Sequence, residues 1–325
     1  MISMNNILIT SAGRRVSLVK FFKNELNKVF PDALVLTTDL NPEYASACQI
    51  ADGFFKVPRV TDENYIAILL KIAIENNIKL IIPTIDTELL VLSKNTQLFK
   101  KQGINIVISD YELVRIFRDK RLTHNFFEQY QINIAKEYTK ENYQLPLYIK
   151  PIDGSRSVDN YIVTTKDDLT EYHFSNEKLM FLEYLDHKKH VEYTIDLYFD
   201  INSELKCLIP RKRLEVRDGE VNKAITTAAV FIPEIWQKMK RIEGFRGCVT
   251  LQIFENTDTN KIYGIEINPR FGGGYPLSYL AGGNFVKWII DEYLLDKKIE
   301  VYNNWEKNLL MLRYDDEVLV HDFKV

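Results

Sequence analysis

The densest run of reactive side chains in the sequence is YGIEINPRFGGGY, residues 263–275. On an extended strand alternate residues share a face, so Glu266, Asn268 and Arg270 are expected to point together, with Ile265 and Ile267 on the other side. A carboxylate and an amide oxygen two residues apart are hard ligands suited to Mg²⁺. An arginine just beyond them suits phosphate oxygens. An edge strand with solvated polar residues would carry the same pattern. Upstream, Gln252 lies in CVTLQIF (248–254), a strand expected to pair with 262–267 across the loop 255–261. That hairpin would bring Gln252 to the ligand side, near Glu266.

A second candidate is YIKPIDGSRS (148–157), where Lys150 ends a strand and the chain turns through Gly154 and Ser155. The ammonium supplies charge for phosphate, and loop amides and hydroxyls can cover the remaining oxygens. The P-loop pattern GxxxxGK[ST] is absent. Lys120 lies thirty residues earlier, on a helix. Singly, either lysine could be a solvated surface charge. In MFLEYL (180–185) Glu183 interrupts an apolar strand, and HVEYTID (190–196) carries Glu192. Apolar walls, backbone groups and a carboxylate that accepts from an exocyclic amine would suit an adenine slot, with Glu192 toward ribose hydroxyls; salt-bridged surface carboxylates are the alternative. The basic run 210–223 holds Arg211 and Arg213, which could bind phosphate or a substrate carboxylate bidentately or form a solvated hairpin loop. The five histidines read as surface residues.

The elements that must position these groups fall into two styles. From residue 6 to 109, apolar strands at 7–10, 34–39, 80–83 and 104–109 alternate with helices starting near Arg15 and covering 65–76 and 88–101. That is the signature of a parallel sheet with crossover helices, an α/β arrangement. Such sheets bind ligands beyond the carboxyl ends of their strands, which points to the loop Thr10–Arg15, with Ser11, Gly13 and Arg14, and to Asp86. Asp110 is a plausible N-cap for a helical stretch carrying Leu113, Ile116, Phe117, Leu122, Phe126 and Phe127. From Tyr148 onward short strands dominate, and late helices are expected at 233–243 and 284–295, giving α+β character to the second part. The first βα turn, SAGRRVS, puts two arginines where a dinucleotide fingerprint needs glycines, which argues against a nicotinamide oxidoreductase.

A chain of 325 residues with 46% hydrophobic side chains can bury more than one core. Its 42 Lys and Arg against 45 Asp and Glu leave a net charge of −3, with no general attraction to nucleic acid or anionic membrane. The three cysteines, Cys48, Cys207 and Cys248, are too far apart for a metal knuckle and are expected to be buried thiols. No signal peptide or membrane span is expected, so the chain reads as cytoplasmic. Trp288 and Trp305 could mark contacts in a homo-oligomer or core packing equally.

Taken in order, these segments resemble the ATP-grasp superfamily, and within it single-module proteins similar to the large subunit of carbamoyl phosphate synthetase. ITSAGRRVSLVKFF, TDLNPEYASACQIAD and PTIDTEL look like that group's pre-ATP-grasp domain; YIKPIDGSRS, FLEYL, VEYTID, LQIF and IEINPRFGGGYP look like its nucleotide and metal strands. The resemblance implies a Rossmann-like domain over 1–112 and an ATP-grasp domain of two α+β lobes over 113–308. Within the latter it implies a small nucleotide lobe near 135–186, a larger metal lobe near 187–300, and a tail over 309–325. It implies that Lys120, Lys150 and Ser155 bind ATP phosphates, and that Glu183 with the Tyr184 and Leu185 backbone holds adenine and Glu192 ribose. Gln252, Glu266 and Asn268 would bind Mg²⁺, with Mn²⁺ as a substitute, and Arg270 and Lys150 would serve the phosphoryl transfer. The implied activity joins a small-molecule carboxylate to an amine through an acyl phosphate. Substrate contacts are expected from Ser11, Gly13, Arg14, Asp86, Arg211, Arg213, Gly273 and Gly274. One module where that synthetase has two speaks against carbamoyl phosphate synthesis itself. A catalytically silent nucleotide-binding protein of the same fold is the alternative.

Overall fold

The structure, a computed structural model, describes residues 5–154, 159–217 and 220–323. Short apolar strands open the chain and pair in parallel: β1 (Asn6–Ile9), β2 (Val35–Asp39), β3 (Gly53–Lys56), β4 (Ile78–Ile82) and β5 (Asn105–Ile106), in the order β3-β2-β1-β4-β5. Their crossovers include α1 (Val16–Asn27), α2 (Ser46–Ile50), α3 (Tyr65–Glu75) and α4 (Asp86–Lys100). Strand β1 pairs with β2 on one side and β4 on the other. The order therefore reverses beside β1, and the loops after β1 and β4 open onto that switch point, where open α/β sheets bind ligands.

Three sequence expectations need correction in this part. The edge strand β3 was not anticipated, because alternate residues of GFFK are exposed and it has no continuous apolar run. The strand expected at 104–109 narrows to the two residues of β5. The single helical stretch after Asp110 is two helices, α5 (Tyr111–Arg118) and α6 (Lys120–Gln129). Asp119 breaks them and caps α6, accepting from the Arg121 and Leu122 amides at 2.8 and 3.2 Å. Asp110 occupies the N-cap position of α5, but its carboxylate pairs with Arg246 instead of capping.

The rest of the chain forms two antiparallel sheets. The smaller has the order β6-β9-β7-β8, from β6 (Glu137–Tyr138), β7 (Leu147–Pro151), β8 (Tyr161–Val163) and β9 (Leu179–Glu183), with helix α7 (Glu171–Ser175) before its last strand. The larger contains β10 (His190–Phe199), β11 (Leu205–Arg217), β12 (Glu220–Thr226), β13 (Gly247–Asn256), β14 (Ile262–Asn268) and β15 (Leu310–Leu312), ordered β14-β13-β10-β11-β12-β15. Helices α8 (Ile232–Met239), α9 (Tyr275–Leu280) and α10 (Phe285–Leu295) flank it. Strand β15, in the segment expected as a tail, is its edge. The basic run, read as a binding loop or a solvated hairpin, is mostly the β11–β12 hairpin, and the sequence gives no signal for α9.

Period-two patterning sorts the large sheet's two faces. Tyr193, Ile195, Leu197 and Phe199 of β10 join Val249, Leu251 and Ile253 of β13 in one core cluster, each buried apolar side chain contributing about 1.5–3 kcal/mol. Glu192, Thr194 and Asp196, with Thr250 and Gln252, are left for the other face. Gly264 belongs to this packing, since a Cβ there would lie 2.6 Å from the Phe127 ring of α6. The three cysteines are buried, as expected, and burial pushes the Cys48 thiol up to about 11. Trp305 is buried and Trp288 packs against the same cluster, so core packing accounts for both. Of the histidines expected at the surface, His124 and His173 are buried. Among the described residues no helix is long and apolar enough to cross a membrane.

Candidate active site

A cleft of about 450 Å³ separates the small sheet from the large one. Lys150, on β7, is only 6% exposed, and Lys120 opens α6 with its Nζ 3.5 Å from the Gly154 carbonyl. Neither ammonium has a carboxylate within ion-pair distance among the described residues. Burial and the neighbouring Lys120 push Lys150 down to about 8. Burial lowers Lys120 as well, with Glu266 opposing. Beneath them the imidazole of His124 is driven down to about 4 by burial and by both lysines. Two desolvated cations thus converge on a loop rich in backbone groups. Ser155, expected beside them, lies outside the described residues.

The facing wall comes from the large sheet. Gln252 stands opposite Glu266 in the β13–β14 register, and Asn268 Nδ2 donates to Glu266 Oε1 at 2.9 Å. The ladder skips Ile265, pairing Gln252 with Glu266 and Ile253 with Gly264. This bulge turns Ile265 into the cleft beside Glu266, so only Ile267 takes the core side expected for both. Glu192 is also on this wall, and its Oε1 accepts from Arg213 Nη1 at 2.8 Å and from Gln252 Nε2. Its carboxylate, expected toward ribose, is thus held by two protein donors.

Farther along, the cleft becomes apolar. Ala135, Leu182 and Leu185 are buried together with Phe254 and Ile265 packed against them, and all five line the space. The chain leaves the β9 ladder at Glu183, whose amide donates to the Lys136 carbonyl at 2.8 Å, so Tyr184 and Leu185 border the cleft next to an exposed carboxylate. Ala135, Phe254 and the bulged Ile265 carried no sequence signal, because an isolated apolar residue reads as core until the fold shows which wall it faces.

A second chamber, about 530 Å³, continues from the first past Lys120, Gly154, Arg213, Gln252 and Glu266. Its far side is the switch point of the parallel sheet, contributing Arg14, Arg15 and residues 84–87. Arg270 reaches across from the large sheet and grips Asp86, Nε to Oδ1 at 2.8 Å and Nη2 to Oδ2 at 2.5 Å. Burial works against that guanidinium, but Asp86 and Glu266 outweigh it and raise its pKa. Gly273 and Gly274 line the chamber, and the second is dictated by packing: a Cβ there would fall 2.0 Å from Arg211 Nη1.

Several residues expected at the substrate are already hydrogen-bonded within the protein. Arg211 is fully buried and forms a bidentate pair with Asp196 at 2.8 and 3.0 Å, where Ser278 also donates at 2.6 Å. Ser11 donates to Glu88 at 2.8 Å, and the Gly13 amide donates to Asp39 at 3.0 Å; neither lines the chamber. Glu88, which the sequence did not single out, is fully buried and accepts from the Thr84 and Ile85 amides at 2.7 and 3.2 Å. Burial raises its pKa against those hydrogen bonds. It ties the loops after β1 and β4 together and so sets the chamber floor.

Residues 7–107 match the family described as PylC-like, N-terminal domain, and residues 175–314 match the family described as ATP-grasp in the biosynthetic pathway with Ter operon. No curated protein sequence matches the chain. Among solved structures, the biotin carboxylase domain of Hydrogenobacter thermophilus 2-oxoglutarate carboxylase, a dimer in complex with MgADP, ADP and bicarbonate, aligns over 95% of this chain and 74% of its own, at 14% identity and a TM-score of 0.73. The N5-carboxyaminoimidazole synthetase of Staphylococcus aureus complexed with ADP aligns over 95% and 80%, at 16% identity and a TM-score of 0.69. Biotin carboxylase of Campylobacter jejuni, a β,γ-ATP complex, aligns over 94% and 74%, at 13% identity and a TM-score of 0.68. A parallel sheet leading into two antiparallel sheets that enclose a cleft is the fold this chain shares with these solved structures, and its second half matches an ATP-grasp family model over residues 175–314.

Proposed function

We propose that the chain is an ATP- and Mg²⁺-dependent ligase that activates a small-molecule carboxylate as an acyl phosphate and joins it to an amine or related nucleophile. The observation that carries this reading is a pair of carboxylate-free ammonium groups, the buried Lys150 and the half-buried Lys120, facing Glu266 and Gln252 across one cleft, with Asn268 hydrogen-bonded to Glu266. Relatives of the same fold were solved with ADP, MgADP and bicarbonate. In this reading the adenine lies in the apolar slot beside Glu183, Tyr184 and Leu185, with Glu192 toward the ribose. The phosphates run past Lys150 and Lys120 toward the second chamber, and the enzyme works in the cytoplasm.

The donor set fits a hard divalent ion. Glu266 offers a carboxylate and Gln252 and Asn268 offer amide oxygens, while no group of three or more His, Cys, Asp or Glu side chains is placed to hold a metal among the described residues. These three would hold Mg²⁺, or Mn²⁺ in its place, jointly with phosphate oxygens. When bound, the ion neutralises charge on those oxygens.

A carboxylate has no usable leaving group until it is phosphorylated. Its oxygen attacks the terminal phosphorus, the bond to ADP breaks, and the amine then displaces phosphate from the acyl carbon to form a C–N bond. Lys150 and Lys120 stabilise charge shifting onto the ADP side. Arg270, fixed by Asp86, meets the transferring group. With hydroxylamine replacing the amine, a carboxylate that stimulates ATP turnover should yield its hydroxamate. Stimulated phosphate release without any hydroxamate would contradict an acyl phosphate.

The state of Lys150 gives a pH prediction. Its pKa, near 8 in the free protein, rises when phosphates bind, so binding takes up a proton above that value. MgADP affinity is expected to be flat below about pH 8 and to fall about tenfold per unit above it, following the protonated fraction. Calorimetry in buffers of different ionisation enthalpy reports the proton uptake directly, and Lys150→Arg should remove it.

A further inference from the structure

Several charges around the second chamber are matched within the protein. Arg270 pairs with Asp86, Arg211 with Asp196, Arg213 with Glu192, and Glu220 with Arg313 at 3.0 Å. Arg14 and Arg15, adjacent in the chain, line the chamber as Lys120 and Arg118 do, and like them have no carboxylate within 4 Å among the described residues. Arg15 has one weak partner, the Thr84 carbonyl at 3.4 Å from its Nη2.

For Arg15 the position makes the lack of an ion pair costly. Arg14 and Arg15 immediately precede α1, a helix of 12 residues with no acid in its first turn, where the helix dipole disfavours cations. Arg15 is half-buried within reach of Arg270, and desolvation and that neighbour lower its pKa to about 10 against the opposing pull of Glu220 and Asp86. The Arg15 and Glu220 side chains lie against the backbone at Gly273, where a Cβ would be in ordinary contact with Arg15 Nη1 at 3.5 Å and closer to Glu220 Oε2 at 3.2 Å. Two adjacent arginines lining one cavity, one of them crowded by Arg270, are what a bound polyanion would neutralise.

We infer that the carboxylate substrate carries a second anionic group, carboxylate or phosphoryl, and that Arg14 and Arg15 bind it while Arg270 and Glu266 face the reacting end. This rests on the ligase reading of the site and narrows its substrate class. A single-charge acid would leave both arginines unmatched after binding.

The test is calorimetric binding of butyrate, succinate and 2-phosphoglycolate to the full chain saturated with MgADP. At least one dianion should bind about tenfold or more tightly than butyrate, and which of the two is preferred separates carboxylate from phosphoryl recognition. The preference should disappear in Arg14→Gln/Arg15→Gln. Arg14→Gln, at an exposed loop position, should lose part of it even where the double variant fails to fold. Three equal or undetectable affinities in a protein that binds MgADP, or a preference kept in the variants, would overturn the inference alone. Failure of the wild type to bind MgADP would overturn the ligase reading and this inference with it.

Discussion

Arg270→Ala should lower kcat by about 10³-fold or more while leaving MgADP affinity within a few-fold, the size expected when an arginine that meets a transferring phosphoryl group is lost. The structural reason is the two-point grip by Asp86, which comes from the parallel-sheet domain and holds the guanidinium over the chamber. Lysine should not rescue the loss, because an ammonium cannot reproduce a planar fork. Asp86→Asn, which keeps the shape and removes the charge, should reduce kcat by a smaller factor with little change in KM for ATP. A kcat within tenfold of wild type for Arg270→Ala would remove Arg270 from the chemistry and leave it as a domain clamp.

The second large effect concerns stability. Arg211→Met leaves the Asp196 carboxylate buried with only Ser278 and a long contact from Thr250, and breaking such a buried pair costs about 3–5 kcal/mol. Denaturant unfolding of the apo protein should show that loss. The double variant Arg211→Met/Asp196→Leu should recover most of it, because the uncompensated charge is gone. If the single variant were as stable as wild type, Arg211 would be available to a substrate, as its place in a basic run first suggests.

The contrast between these two arginines shows what the sequence can and cannot carry. Glu266, Asn268 and Gln252 were readable because strand alternation and one hairpin suffice to bring them together, and both are local properties. Lys150 and Lys120 were readable as charges beside a turning loop. Arg211 and Arg213 were not, because their carboxylates Asp196 and Glu192 lie on β10, and only the antiparallel register places them opposite. The same holds for Asp86 and Arg270, which are 184 residues apart in the chain. The parallel sheet was legible from its alternation of strands and helices, whereas its exposed edge strand β3 and the short helix α9 lacked a periodic apolar face. The bulge at Ile265 overturned a face assignment that strict alternation would have made, and Glu88 gave no sign of burial because its partners are backbone amides and side chains from three separate segments.

The most direct test of the central claim is phosphate release from MgATP by the wild type and by Glu266→Ala, across a panel of carboxylates with and without added amines. The ligase reading predicts release that depends on the carboxylate and is abolished by the substitution. ATP that does not bind at all, or release that ignores the carboxylate and survives in Glu266→Ala, would contradict it.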